Sequence, residues 1–64
     1  MDVRDVLGRL AADGWYVDRM SGDHRVLKHP RKKGIVVVAG HPSKTVATGT
    51  LKSIWKQAGL EDKG

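Results

Sequence analysis

Ser21 to Pro30 reads SGDHRVLKHP, and how this stretch folds decides the rest of the chain. Ser21, Gly22 and Asp23 are turn formers: glycine takes positive φ at no steric cost, and serine and aspartate side chains bond to nearby backbone. His24 to His29 then reads as a strand. Pro30 stops it, because proline has no N–H to give to a ladder. On the other side of the turn, Trp15 to Met20 (WYVDRM) alternates and is rich in aromatic and β-branched residues, the composition of a partner strand. Two such runs around a tight turn make a β-hairpin. Trp15 and Val17 are expected on its core face, with Tyr16 and Asp18 pointing away.

Outward from the hairpin, Val3, Val6, Leu7, Leu10 and Ala11 recur at helical spacing and form one apolar stripe. Asp2 is the expected N-cap, with Asp5 three residues on in the manner of a capping box, and Gly14 is the C-terminal stop. Gly8 inside this helix costs about 1 kcal/mol relative to alanine; a close approach to the sheet would account for it. Pro30 to Gly34 (PRKKG) is a second, basic turn. Ile35 to Ala39 is a continuous apolar run and reads as a central or well-covered strand. Gly40 to Ala47 (GHPSKTVA) is a loop. Thr48 is the expected N-cap of a second helix that stops at Gly59, burying Leu51, Ile54, Trp55 and Ala58 and leaving Lys52 and Lys56 solvated. The fold class is therefore α+β: an α-β-β-β-α order, with a three-stranded antiparallel sheet whose one face carries both helices. The other face is open.

With 64 residues the chain is expected to be one domain spanning residues 1–64, stable by a narrow margin. It has no cysteine, which excludes a disulfide framework and a thiolate zinc site. No run approaches the ~18 apolar residues of a membrane span, and no signal-peptide core opens the chain. A soluble, cytoplasmic protein is expected. Twelve Lys and Arg against seven Asp and Glu give a net charge of +5. The acids gather before His24, at Asp2, Asp5, Asp13, Asp18 and Asp23, whereas Arg25 to Lys56 contains no acid. A surface so charged favours a polyanionic partner.

His24, at the mouth of the hairpin, is the candidate general acid or base, since imidazole titrates near neutral pH. Alternation sets His24, Val26 and Lys28 on one face and Arg25, Leu27 and His29 on the other. Leu27 is the better core candidate, with Val26 as the competing choice. If Leu27 is buried, His24 and Lys28 share the open face beside Tyr16 or Asp18, a grouping able to grip a phosphodiester. Lys28 is the first candidate to assist His24, with Arg25 and Lys44 next and Lys52 and Lys56 as further phosphate contacts. No metal site and no cofactor are expected: His24 and His29 fall on opposite faces, His41 lies in a loop of its own, and no HxH or HxxxH spacing occurs. His29 and His41, each before a proline, are expected to be held extended and to hydrogen-bond a turn.

Taken together, DGWYVDRMSGDH (Asp13 to His24), KHP (Lys28 to Pro30), KKGIVVV (Lys32 to Val38), HP (His41, Pro42) and GTLKSIWKQAGL (Gly49 to Leu60) resemble the HicA-type toxins, mRNA interferases of type II toxin–antitoxin systems. The resemblance spans nearly the whole chain. It implies an α-β-β-β-α fold similar to a double-stranded RNA-binding domain, RNA cleavage with His24 as the catalytic residue, mRNA as substrate and a HicB-type antitoxin as partner. The family motif usually reads Gly-Ser-His; here Gly22 and His24 match, but Asp23 stands at the serine position, and Leu27 where an aromatic is common. Two other readings stay open. A non-catalytic double-stranded RNA-binding module would share the fold order and the basic C-terminal half. A purely protein-binding domain would use the open sheet face for docking.

Overall fold

A computed structural model describes residues 1–60 of the chain. Its elements are α1 (Val3–Asp13), β1 (Tyr16–Ser21), β2 (His24–Lys28), β3 (Val36–Ala39) and α2 (Thr48–Ala58), the α-β-β-β-α order expected. The strands form one antiparallel sheet in the order β1-β2-β3, so β2 is central. Val3, Val6 and Leu10 of α1 and Ile54, Trp55 and Ala58 of α2 bury their apolar stripes against Trp15, Leu27, Val36 and Val38. Leu27 is 2% exposed, which decides the strand's parity: its side of the sheet is the covered one and that of His24 is open.

Both ends of α1 are closed by named contacts. Asp2 is the N-cap, its Oδ1 accepting from the Asp5 N–H at 2.9 Å. The preceding amides go to the 40–47 loop: Val3 donates to Lys44 O at 2.9 Å and Arg4 to Pro42 O at 3.0 Å. This loop therefore serves as the partner of donors that an isolated helix would leave to water. Gly14 closes the C-terminus with φ +110°, and its N–H bonds Ala11 O. A Cβ there would sit 2.8 Å from His29 Nε2, so glycine is required on both counts. Gly8 is different. An added Cβ would meet nothing within 4 Å, so this glycine does not mark an approach to the sheet.

Three expectations need correcting. Val17 stands opposite Leu27 and so on the covered side, yet it is 46% exposed. The helices lie over β3 and leave the edge strand β1 bare. The apolar run Ile35 to Ala39 is not central: β3 is the other edge, with Val36 and Val38 under the helices and Ile35 and Val37 half-exposed. Thr48 is the first residue of α2 rather than its cap; Ala47 holds the N-cap place with no side-chain bond.

Candidate functional site

Ser21 and His24 pair across the mouth of the hairpin, joined by Gly22 and Asp23. Gly22 has φ +61° and Asp23 is not at positive φ, the pattern of a type II′ turn with glycine first. On its other side His24 pairs with Ala39, and the next residue, Gly40, donates its N–H to Asp23 O at 3.1 Å. The turn is thus tied to both neighbouring strands. His24 Nδ1 lies 3.1 Å from Asp23 Oδ1, and its side chain is 60% exposed. The Asp23 carboxylate stands on the Nδ1 side of the ring, which leaves Nε2 as the nitrogen turned away from it; no hydrogen bond to Nε2 is found among the described residues.

The surroundings of His24 are set by an irregularity in β1. Tyr16 pairs with Lys28 and Val17 with Leu27, but then Arg19 pairs with Val26, Met20 with Arg25 and Ser21 with His24. Asp18 is the extra residue of a β-bulge, which changes the parity of everything after it. Strict alternation would send Arg19 to the covered side; the bulge brings it to the open one. Arg19 is there a diagonal neighbour of His24, about 7–8 Å away across the strands. It was not among the residues singled out from the sequence. The open face accordingly carries His24, Val26 and Lys28 in its centre, Tyr16, Asp18, Arg19 and Ser21 on one flank, and Val37 and Ala39 on the other.

The expected basic residues are dispersed. Lys28 shares the open face with His24 but lies four residues along the strand, about 13 Å at the usual rise. Its Nζ is 3.6 Å from Asp18 Oδ2. Arg25 faces the covered side, where its guanidinium donates to Gly40 O at 2.8 Å. The stem of Lys44 crosses Gly40 on the covered side: a Cβ on Gly40 would be 2.9 Å from Lys44 Cδ and 3.7 Å from Cγ2 of the core residue Val3. Lys52 and Lys56 are exposed on α2, on the layer opposite His24. The geometry therefore brings together His24, Asp23, Ser21 and Arg19, places Lys28 further along the same face, and leaves Arg25, Lys44, Lys52 and Lys56 elsewhere.

His29 belongs to a separate structural knot. Its Nδ1 accepts from the N–H groups of Arg31 (2.9 Å) and Lys32 (3.1 Å), so the ring proton sits on Nε2 and is given to Asp13 O at 2.7 Å. The ring meets Trp15 edge-on, centroids 5.2 Å apart. Lys32 Nζ bonds both Asp13 Oδ2 (2.6 Å) and Ala58 O (2.7 Å), linking the C-terminal ends of α1 and α2. The hydrogen bond from Lys32 and its charge hold the Asp13 carboxyl below the ordinary carboxylate value. His41 Nδ1 lies 2.9 Å from Ser43 Oγ and accepts from Ser43 N–H at 3.3 Å. Both histidines thus hold turns. Among the described residues, no three His, Asp or Glu side chains gather as a metal-binding group.

A protein-family model described as "HicA toxin of bacterial toxin-antitoxin" matches residues 3–60, from the first residue of α1 to just beyond α2. A search of curated proteins finds no match. No helix among the described residues is long and apolar enough to cross a membrane.

Proposed function

We propose, because the chain belongs to the HicA toxin family of bacterial toxin–antitoxin systems, that it is an endoribonuclease which cleaves mRNA at His24 without a metal and thereby inhibits translation. Toxins of this family generally cleave mRNA and are matched by an antitoxin. What supports the finer assignment is the setting of His24: first in β2, exposed on the uncovered face, with the Asp23 carboxylate 3.1 Å from Nδ1 and no hydrogen bond to Nε2 among the described residues.

The chemistry follows from that setting. Nε2 takes the proton of a ribose 2′-OH as the oxygen attacks the adjacent phosphorus, the P–O5′ bond breaks, and the departing 5′-oxygen takes a proton from water. The products are a 2′,3′-cyclic phosphate and a 5′-hydroxyl end. Acting instead as the acid, the imidazolium protonates the departing oxygen, and the 2′-OH proton passes to water. One positioned acid–base group supplies roughly 10²–10⁴-fold. With a single histidine at the site, the rest of the acceleration falls to in-line positioning and to cations near the developing charge. Arg19, the diagonal neighbour of His24 on the open face, is the best placed of these. Lys28, about 13 Å along the strand, serves a neighbouring phosphate rather than the reacting one.

The test is RNA cleavage in EDTA by the wild type and by His24→Ala. Cleavage that persists in chelator, ends in cyclic phosphate and vanishes in a folded His24→Ala chain is the expected result. Cleavage by His24→Ala at the wild-type rate would overturn the assignment. The exposed Lys52 and Lys56 on α2 favour one second reading, a double-stranded RNA-binding module, in which RNA is bound and never cut.

A further inference from the structure

We propose that Tyr16 is a base-stacking platform and that the open sheet face takes RNA as a single strand, which runs from Tyr16 and Lys28 to His24. This rests on the nuclease assignment of His24 and adds the form of the substrate and the residue that positions it.

Tyr16 is 50% exposed and pairs with Lys28, which puts its ring on the same side of the sheet as His24. The ring contacts found among the described residues, Trp15 with His29 and Arg9 over Trp55, do not involve it. Beside it the face is apolar. Val26 fills the centre, Val37 opposite is 41% exposed, and Ile35 just before β3 is 48% exposed. Exposed apolar surface on a small basic sheet suits the faces of unstacked bases; a duplex keeps those faces inside and offers phosphates and ribose hydroxyls instead.

Cations border the same surface. Lys28 stands beside Tyr16, and Arg19 lies between that end and His24. A basic track with an aromatic side chain is the usual way to hold single strands, because every base has a π-face. The distance from Lys28 to His24, about 13 Å at the strand rise, is one that a few extended nucleotides cover. The reaction asks for the same form. In-line attack needs the 2′-oxygen, the phosphorus and the 5′-oxygen aligned, a geometry that A-form pairing holds off and a flexible strand reaches. One carboxylate opposes the track: Asp18, 3.6 Å from the Lys28 ammonium, keeps that cation at the Tyr16 end and offsets its charge.

The probe is a short RNA of randomised sequence with 2′-fluoro groups, which cannot attack phosphorus, labelled for fluorescence anisotropy and offered single-stranded or annealed to its complements. The wild type is expected to bind the single strand at least about tenfold more tightly than the duplex. Tyr16→Phe should leave this unchanged, and Tyr16→Leu should weaken it about ten- to a hundredfold. Equal affinity for the duplex, or Tyr16→Leu binding like the wild type, would overturn the proposal. Asp18→Asn provides a second handle that leaves Tyr16 intact: freeing Lys28 should tighten single-strand binding a few-fold, and unchanged or weaker binding counts against the track. Natural RNA separates this from the nuclease assignment. If Tyr16→Leu binds normally while cleavage persists, the track falls and the nuclease stands; if binding depends on the ring but wild-type protein does not cut, the track stands and the nuclease falls.

Discussion

Val26 stands opposite Arg19, not Asp18, and that offset of one residue decides which charge lies beside His24. The two arginines near the hairpin mouth therefore have different tasks. Arg19 is on the open face, while Arg25 donates to Gly40 O at 2.8 Å on the covered side. Arg19→Ala is expected to lower the rate of RNA cleavage about 10²-fold, the usual effect of removing one group that stabilises developing charge, with thermal stability nearly unchanged. Arg25→Ala should do the reverse, costing about 1 kcal/mol of stability for the lost carbonyl partner and sparing cleavage by the folded fraction. Parallel melting curves and cleavage assays check both. Loss of activity confined to Arg25→Ala would mean that the bulge does not set the site.

The two glycines of the first helix should respond in opposite senses. Gly8 is exposed, and a Cβ would enter open space, so Gly8→Ala should stabilise by about 0.5–1 kcal/mol through better helix propensity. Gly14 has φ +110°, and its Cβ would meet the His29 ring. Gly14→Ala should cost more than about 1 kcal/mol from backbone strain alone. Urea midpoints measure both. Destabilisation by Gly8→Ala would contradict the open surroundings of that position.

The element order was legible because the 3.6-residue stripes of Val3 to Leu10 and Leu51 to Ala58 and the turn at Ser21 to Asp23 are local signals. The open face of His24 follows from period-two alternation once Leu27 is the core residue. The bulge was not legible: WYVDRM alternates equally well with or without an extra residue, and only pairing with β2 shows that Asp18 is the surplus one. The same holds for Val17, whose exposure depends on where the helices lie. Apolar Ile35 and Val37 read as buried on composition, whereas here they line the uncovered face. The Lys32 bridge joins residues 19 and 26 positions away, a separation at which no local pattern points to a partner.

Acid should weaken the fold partly through Asp13. The hydrogen bond from Lys32 lowers its folded pKa below the reference of 3.8. The unfolded chain therefore takes up a proton on this carboxyl before the folded chain does. Stability from the pair is complete above about pH 4–5 and is lost as pH falls through the lowered folded value. Asp13→Asn and Lys32→Met should each flatten the dependence of the urea midpoint on pH below about 4, and Lys33→Met should not. Asp2, also lowered by the Asp5 N–H it accepts, keeps part of the slope in both variants. An unchanged acid limb in Asp13→Asn would show that the Lys32 bridge is not what sets this carboxyl.

A free nuclease of cellular mRNA is toxic to its own cell, so the antitoxin of this system is expected to cover the surface that cuts. On the proposed assignment that surface is the face with His24, Arg19 and Lys28, and a protein complementary to it should present acids there. Mixing the two should block cleavage by occlusion. Association should slow as salt rises, since charges around an interface act mainly on the on-rate. Hydrogen exchange locates the contact: the antitoxin should protect the amides from Tyr16 to Lys28 more than those of α1, which lies on the other layer of the fold. Among the described residues no strand pairs with the outer edge of β1, so its outward N–H groups make this the more sensitive region. Protection confined to Val3–Asp13 with cleavage still blocked would mean that inhibition is indirect, and that the open face is not what the antitoxin binds.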